Sequence, residues 1–104
     1  MEFDHIGIPV ADKRPGMRYL ESKRLWLTSP ADHPFRVEFL WYEPDSPESE
    51  LVRRTPHIAY RVDDLEQAMD GYPVIAEPFD VFSEVLVSFI EVDGAPVEFV
   101  QLYE

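Results

Sequence analysis

The stretch His57-Ile58-Ala59-Tyr60-Arg61-Val62-Asp63-Asp64 echoes the opening of the chain, His5-Ile6-Gly7-Ile8-Pro9-Val10-Ala11-Asp12. A second phrase also occurs twice, as Val37-Glu38-Phe39-Leu40 and as Val97-Glu98-Phe99-Val100. The chain thus carries two copies of one pattern: a histidine opens a strand, and a glutamate sits inside a later one. Self-similarity of this kind marks a repeated supersecondary unit. A repeated His and Glu is also a repeat of metal-ligand residue types.

Side chains alternate along a strand. In the first copy Ile6, Ile8 and Val10 share a face, opposite His5, Gly7 and Pro9. In the second, Ile58, Tyr60 and Val62 lie opposite His57, Ala59 and Arg61. The bulky face can pack on a following helix, while the other pairs a histidine with a small residue and leaves room for a ligand. Glu38 and Glu98 are each flanked by apolar residues in mid-strand. A carboxylate there is costly to bury unpaired, and a metal or a cationic partner offsets the cost. Two histidines and two glutamates together suit a borderline divalent ion such as Zn, Ni, Mn or Fe. A lone histidine is read as a core residue bonded to backbone; two at repeated positions favour ligands. His33, in a proline-flanked turn, is read as solvated. Arg61 either holds a substrate carboxylate or phosphate through its planar fork or pairs with a surface carboxylate.

Working outward, strands are expected over Phe3–Val10, Leu25–Thr28, Phe35–Glu43, His57–Val62, Glu84–Val92 and Ala95–Tyr103. Val74–Ala76 reads as short and extended. Asp12 with Pro15 predicts a short helix ending near Ser22. Asp63 and Glu66 read as a capping box opening a second helix through Met69, with Gly71 past its end. Asp93-Gly94 is a hairpin signal. The polar segment Pro44–Glu50 divides one domain, residues 1–104, into a module over 1–50 and a module over 51–104.

The chain is acidic, with 9 Lys and Arg against 21 Asp and Glu and a formal charge of −12. That field repels nucleic-acid phosphates and anionic lipid, so neither is an expected partner. No apolar run approaches the ~20 residues of a membrane span. Cysteine is absent and Met1-Glu2-Phe3-Asp4 lacks the pattern of a secretory signal, so a cytoplasmic location is expected.

The segments His5-Ile6-Gly7-Ile8, His57 through Leu65 and Asp93 through Gln101 resemble the vicinal oxygen chelate superfamily, the glyoxalase/bleomycin-resistance/dioxygenase proteins. The resemblance implies an α+β fold: two βαβββ-type modules forming a curved mixed sheet around a central cleft. It places the metal ligands at His5, Glu38, His57 and Glu98. It implies a divalent-metal-dependent isomerase, epimerase or lyase, like lactoylglutathione lyases or methylmalonyl-CoA epimerases, acting on a small 2-oxo or 2-hydroxy compound. Glu98 or Glu38 would be the catalytic base and Arg61 the substrate anchor. A homodimer is also implied. His57 and Glu98 are 41 positions apart but His5 and Glu38 only 33, so the first module is shortened by a strand or most of a helix. Some members bind no metal and sequester a ligand, which is the alternative function; a plain interaction module is a third.

Overall fold

The computed structural model describes residues 1–103. Its core is one curled, mixed eight-stranded sheet. The strands are β1 (Glu2–Pro9), β2 (Arg18–Leu20), β3 (Leu25–Leu27), β4 (Val37–Tyr42), β5 (His57–Arg61), β6 (Val74–Val81), β7 (Val85–Val92) and β8 (Ala95–Leu102). Two short helices accompany them, α1 (Glu50–Arg54) and α2 (Leu65–Met69). The fold is α+β, as the sequence predicts.

The strand order is β2-β3-β4-β1-β5-β8-β7-β6. The two halves mirror each other about the β1–β5 seam. β1 runs parallel to β4, β5 runs parallel to β8, and β1 and β5 are antiparallel. In the seam His5 lies opposite Ala59, and Gly7 lies opposite His57. In the parallel pairs Gly7 aligns with Glu38 and Ala59 with Glu98. The repeated phrases therefore meet at the centre of the sheet.

Alternation sends opposite residues of each strand to the two faces. On the concave face Leu20, Leu25, Leu27 and Leu40 form one cluster, and Ala59, Val87 and Val100 form another. On the convex face α2 buries Leu65 and Met69 against Ile90 and Phe99. Fully burying a side chain such as Leu65 is worth about 2 kcal/mol, which ties this five-residue helix to the sheet. Alone it would not persist, since short helices draw their stability from packing.

Three sequence expectations are corrected here. No α-helix forms between Asp12 and Ser22; the segment holds only a 3-10 turn, Glu21–Lys23, at its end. Gly16 takes φ +82, a left-handed conformation that interrupts any helix, and Arg18–Leu20 instead pairs with β3 as a hairpin. The first module thus keeps its strands and loses its helix. That leaves Ile6, Ile8, Val37 and Phe39 half-buried on a convex face that no α-helix covers, with Arg14 and His33 against Phe39 and with Ile58 exposed. The second helix is capped by Asp64, not Asp63: the Asp64 carboxylate accepts from Gln67 N at 3.1 Å. Val62 N still bonds to Val100 O, which holds the chain in the sheet too long for Asp63 to cap. Finally, the segment read as loop up to Glu50 runs into α1, capped by Ser49 and seating Val52 at full burial.

At the other end the hairpin forms as expected, with Asp93 and Gly94 at φ 52 and 84. Both central residues of a type I′ turn need positive φ, which aspartate tolerates and glycine adopts freely. Val74–Ala76 proves to be the start of the eight-residue edge strand β6.

Candidate metal centre

The four residues singled out by the repeat converge. His5, Glu38, His57 and Glu98 are all buried, and each presents a ligand atom within 4.8 Å of the others. Two of the four come from each half of the sheet. Glu98 Oε1 stands between the imidazoles, 2.7 Å from His57 Nε2 and 3.2 Å from His5 Nε2. Glu38 Oε1 lies farther out, 3.4 Å from His5 Nε2.

The small residues opposite the histidines have a definite task. A Cβ on Gly7 would lie 2.2 Å from His57 Cε1 and 2.4 Å from its Nε2. The space that Gly7 leaves is filled by the His57 ring, which also packs edge-on against Phe89 at 4.9 Å between centroids. The room foreseen for a ligand is thus taken by the partner histidine.

A fifth residue joins the cluster that sequence reasoning missed. Strict alternation puts Asp4 on the face opposite His5. Between Phe3 and His5, however, β1 carries one more residue than β5, a β-bulge. The bulge turns Asp4 and His5 to the same side, and Asp4 Oδ2 lies 2.7 Å from His5 Nδ1. Nothing in the sequence announces it. Arg61 Nη2 donates to Asp4 Oδ1 at 3.0 Å, and Arg36 Nε donates to the Asp4 carbonyl. Arg61 therefore pairs with Asp4, not with Asp63 or a surface glutamate.

Charge follows geometry. Burial disfavours the His5 imidazolium, but the Glu98 charge, with hydrogen bonds to Asp4, Glu38 and Glu98, pushes its pKa up to about 12. Glu98 is also penalised by burial, yet the His5 charge and the bonds to both histidines bring it down to about 2. Burial raises Glu38, and its single histidine contact only partly opposes that. The hydrogen bond with His5 leads the lowering of Asp4, against burial. The centre is thus two buried carboxylates of unequal basicity held by a cation.

A divalent ion fits this donor set. Two imidazole nitrogens and two carboxylates are ligands for Zn-like ions. Asp4 holds His5 by Nδ1 and leaves Nε2 facing the cluster, the carboxylate–histidine arrangement found around metals. His57 also faces the cluster through Nε2, while its buried Nδ1 has no partner among the described residues. Replacing Asp4 by Asn preserves size and removes the charge. Metal affinity of Asp4→Asn, read by chelator competition, is expected to fall about 10- to 100-fold.

The cluster floors a cavity of about 220 Å³ on the concave face, reached by Asp4, His5, Glu38 and Glu98. Its walls are largely aliphatic, and Arg61 lines it. Tyr42 is on the same wall; burial raises its phenol well above the ordinary value, keeping it neutral. His33 is elsewhere: its Nδ1 accepts from Phe35 N at 3.1 Å in the turn. No helix among the described residues is long and apolar enough to cross a membrane.

No protein-family model and no curated protein matches the chain. Solved structures do. A hypothetical protein from Bacillus halodurans C-125 superposes with a TM-score of 0.65 at 24% identity, covering 99% of this chain and 95% of that one. A methylmalonyl-CoA epimerase from Mycobacterium tuberculosis gives 0.66 at 20% identity, covering 99% and 89%. The chain has the fold of the vicinal oxygen chelate superfamily.

Proposed function

We propose that this protein is a divalent-metal-dependent isomerase or epimerase, with the metal held by His5, Glu38, His57 and Glu98, acting on a small 2-oxo or 2-hydroxy compound. The observation that carries the reading is the convergence of these four buried donors within 4.8 Å, three of which, His5, Glu38 and Glu98, reach the floor of a largely apolar cavity. The likeness in fold to a methylmalonyl-CoA epimerase supports it. So does the chemistry of the donors, since buried carboxylates are stable only when paired.

When bound, a divalent ion supplies Lewis acidity toward a substrate oxygen and acidifies the neighbouring C–H. The chain's own residues divide the remaining work. Glu98, in contact with both histidines, is the fixed anion of the site. Glu38 has a single, longer histidine contact, so it is the glutamate free to swing from the metal and take the proton from substrate carbon and return it. Asp4 keeps His5 in one orientation. The aliphatic walls exclude water, and Arg61 anchors the substrate at the cavity's edge. The protein acts in the cytoplasm as a homodimer; the half-buried convex face of the first module, which no α-helix covers, supports self-association.

The test is elemental analysis of untagged protein prepared without chelator, joined to solvent-deuterium exchange on 2-oxo and 2-hydroxy acids and their thioesters. About one transition-metal ion per chain, with exchange abolished by chelator, is expected. A sequestering protein of the same fold is the second reading, favoured by the aliphatic walls. Absence of metal after incubation with Zn, Ni, Mn and Fe, with ligand binding intact, would establish it instead.

A further inference from the structure

Four of the chain's nine basic residues, Arg18, Lys23, Arg36 and Arg61, line the cavity. Two are balanced one to one. Arg18 Nη2 is 2.7 Å from Glu84 Oε1, and Lys23 Nζ is 3.2 Å from Glu48 Oε2. The other two are not. Arg61 Nη2 at 3.0 Å and Arg36 Nη2 at 3.6 Å converge on the same oxygen, Asp4 Oδ1. The second oxygen of Asp4 is engaged by His5. Two guanidiniums therefore share half of one carboxylate. Arg61 Nε has no acceptor among the described residues.

Both arginines are within reach from outside, with side chains 41% and 42% exposed. Beyond the His5, Glu38 and Glu98 cluster, the cavity wall carries Leu27, Leu40, Val87 and Val100 as buried side chains. The other carboxylates of the cavity, Glu38, Glu48, Glu84 and Glu98, are each paired with a histidine, Lys23 or Arg18. At this rim two guanidiniums face one carboxylate, a local excess of positive charge in a chain of formal charge −12. Such a field repels anions at long range, so an anion enters only where a local cationic patch reverses it.

We propose that Arg36 and Arg61 form an anion subsite at the cavity rim, and that the ligand is an apolar-bodied anion: a carboxylate or phosphate carried on an aliphatic or aromatic body. The planar guanidinium fork matches both headgroups. Asp4 pre-orients the two forks, holding Arg61 by Nη2 and Arg36 by Nη2 and, through its carbonyl, by Nε, and the apolar walls take the body. The inference rests on the proposed function only in treating this cavity as the substrate site, because the anion contact needs no metal.

Calorimetric titration of the full chain, as purified and after chelation, tests it with decanoate, decyl phosphate, decanol and decyltrimethylammonium. Both anions are expected to bind in both preparations, more weakly as salt is raised. Decanol and the ammonium should bind at least about tenfold more weakly, and Arg36→Gln and Arg61→Gln should each weaken the anions by about tenfold or more. Each single variant leaves Asp4 one guanidinium. If a Gln variant does not fold, Arg36→Lys and Arg61→Lys replace it, with a smaller loss expected because charge stays and the fork goes. Decanol binding as tightly as decanoate, or unchanged anion affinity in the arginine variants, overturns the subsite. Retained metal without anion binding overturns this inference alone; anion binding without metal upholds it and removes the metal from the proposed function.

Discussion

Replacing His57 by alanine is expected to take the metal content from about one ion per chain to near zero, while His33→Ala leaves it unchanged. His57 Nε2 is one of four donors in the cluster and the nearer of the two imidazoles to Glu98 Oε1, at 2.7 Å. Its removal deletes a ligand and also one of the two imidazole contacts that hold Glu98 ionised. Burial then weighs more heavily on Glu98, its pKa rises, and its value as an anionic ligand falls. His33 is bonded within its own turn and separates loss of a ligand from loss of any histidine. Elemental analysis of the three proteins decides the matter, and metal retained by His57→Ala would dismiss the assignment. The same chemistry sets the pH dependence. His5, with its pKa pushed up to about 12, must give up its proton to become a ligand. Metal uptake therefore releases protons, and apparent affinity rises with pH through the neutral range. Titration in two buffers of different ionisation enthalpy reads the proton count directly.

Replacing Gly7 by valine is expected to damage fold and site together. Gly7 does not need glycine for its backbone conformation, since it has no positive φ. It needs glycine for space: a Cβ would stand 2.2 to 2.8 Å from three atoms of the His57 ring. The ring cannot retreat, because its side chain is fully buried against Phe89. Overpacking of this kind costs about 1–3 kcal/mol, and a displaced ring no longer presents Nε2 to the cluster. Urea denaturation and metal stoichiometry should both register the change. A double-variant cycle isolates the cause: in the His57→Ala background the stability cost of Gly7→Val should largely disappear. A full cost in that background would show that Gly7 serves some other contact.

Much of this molecule is written locally. The repeated His and Glu phrases, with the alternation of β-strands, determine which four side chains share the concave face, because face is decided by the parity of position along a strand. Asp93-Gly94 determines its hairpin, because few residue pairs accept two consecutive positive φ angles. Where neighbouring elements arbitrate, local rules fail. Asp63 is as good a cap as Asp64 by residue type; the bond from Val62 N to Val100 O, a partner far along the chain, excludes it. Pro15 and Asp12 favour a helix, but Gly16 and pairing with β3 draw the segment into the sheet. The β-bulge at Asp4 arises only from the register between β1 and β5, so the one carboxylate that joins His5 to the arginine pair is invisible in the order of residues. Sequence alone thus determined the two histidines and two glutamates of the cluster, their strands and their faces. Tertiary structure decided which groups surround them, because register, burial and the close approach of Gly7 to His57 are properties of paired strands and of no strand by itself.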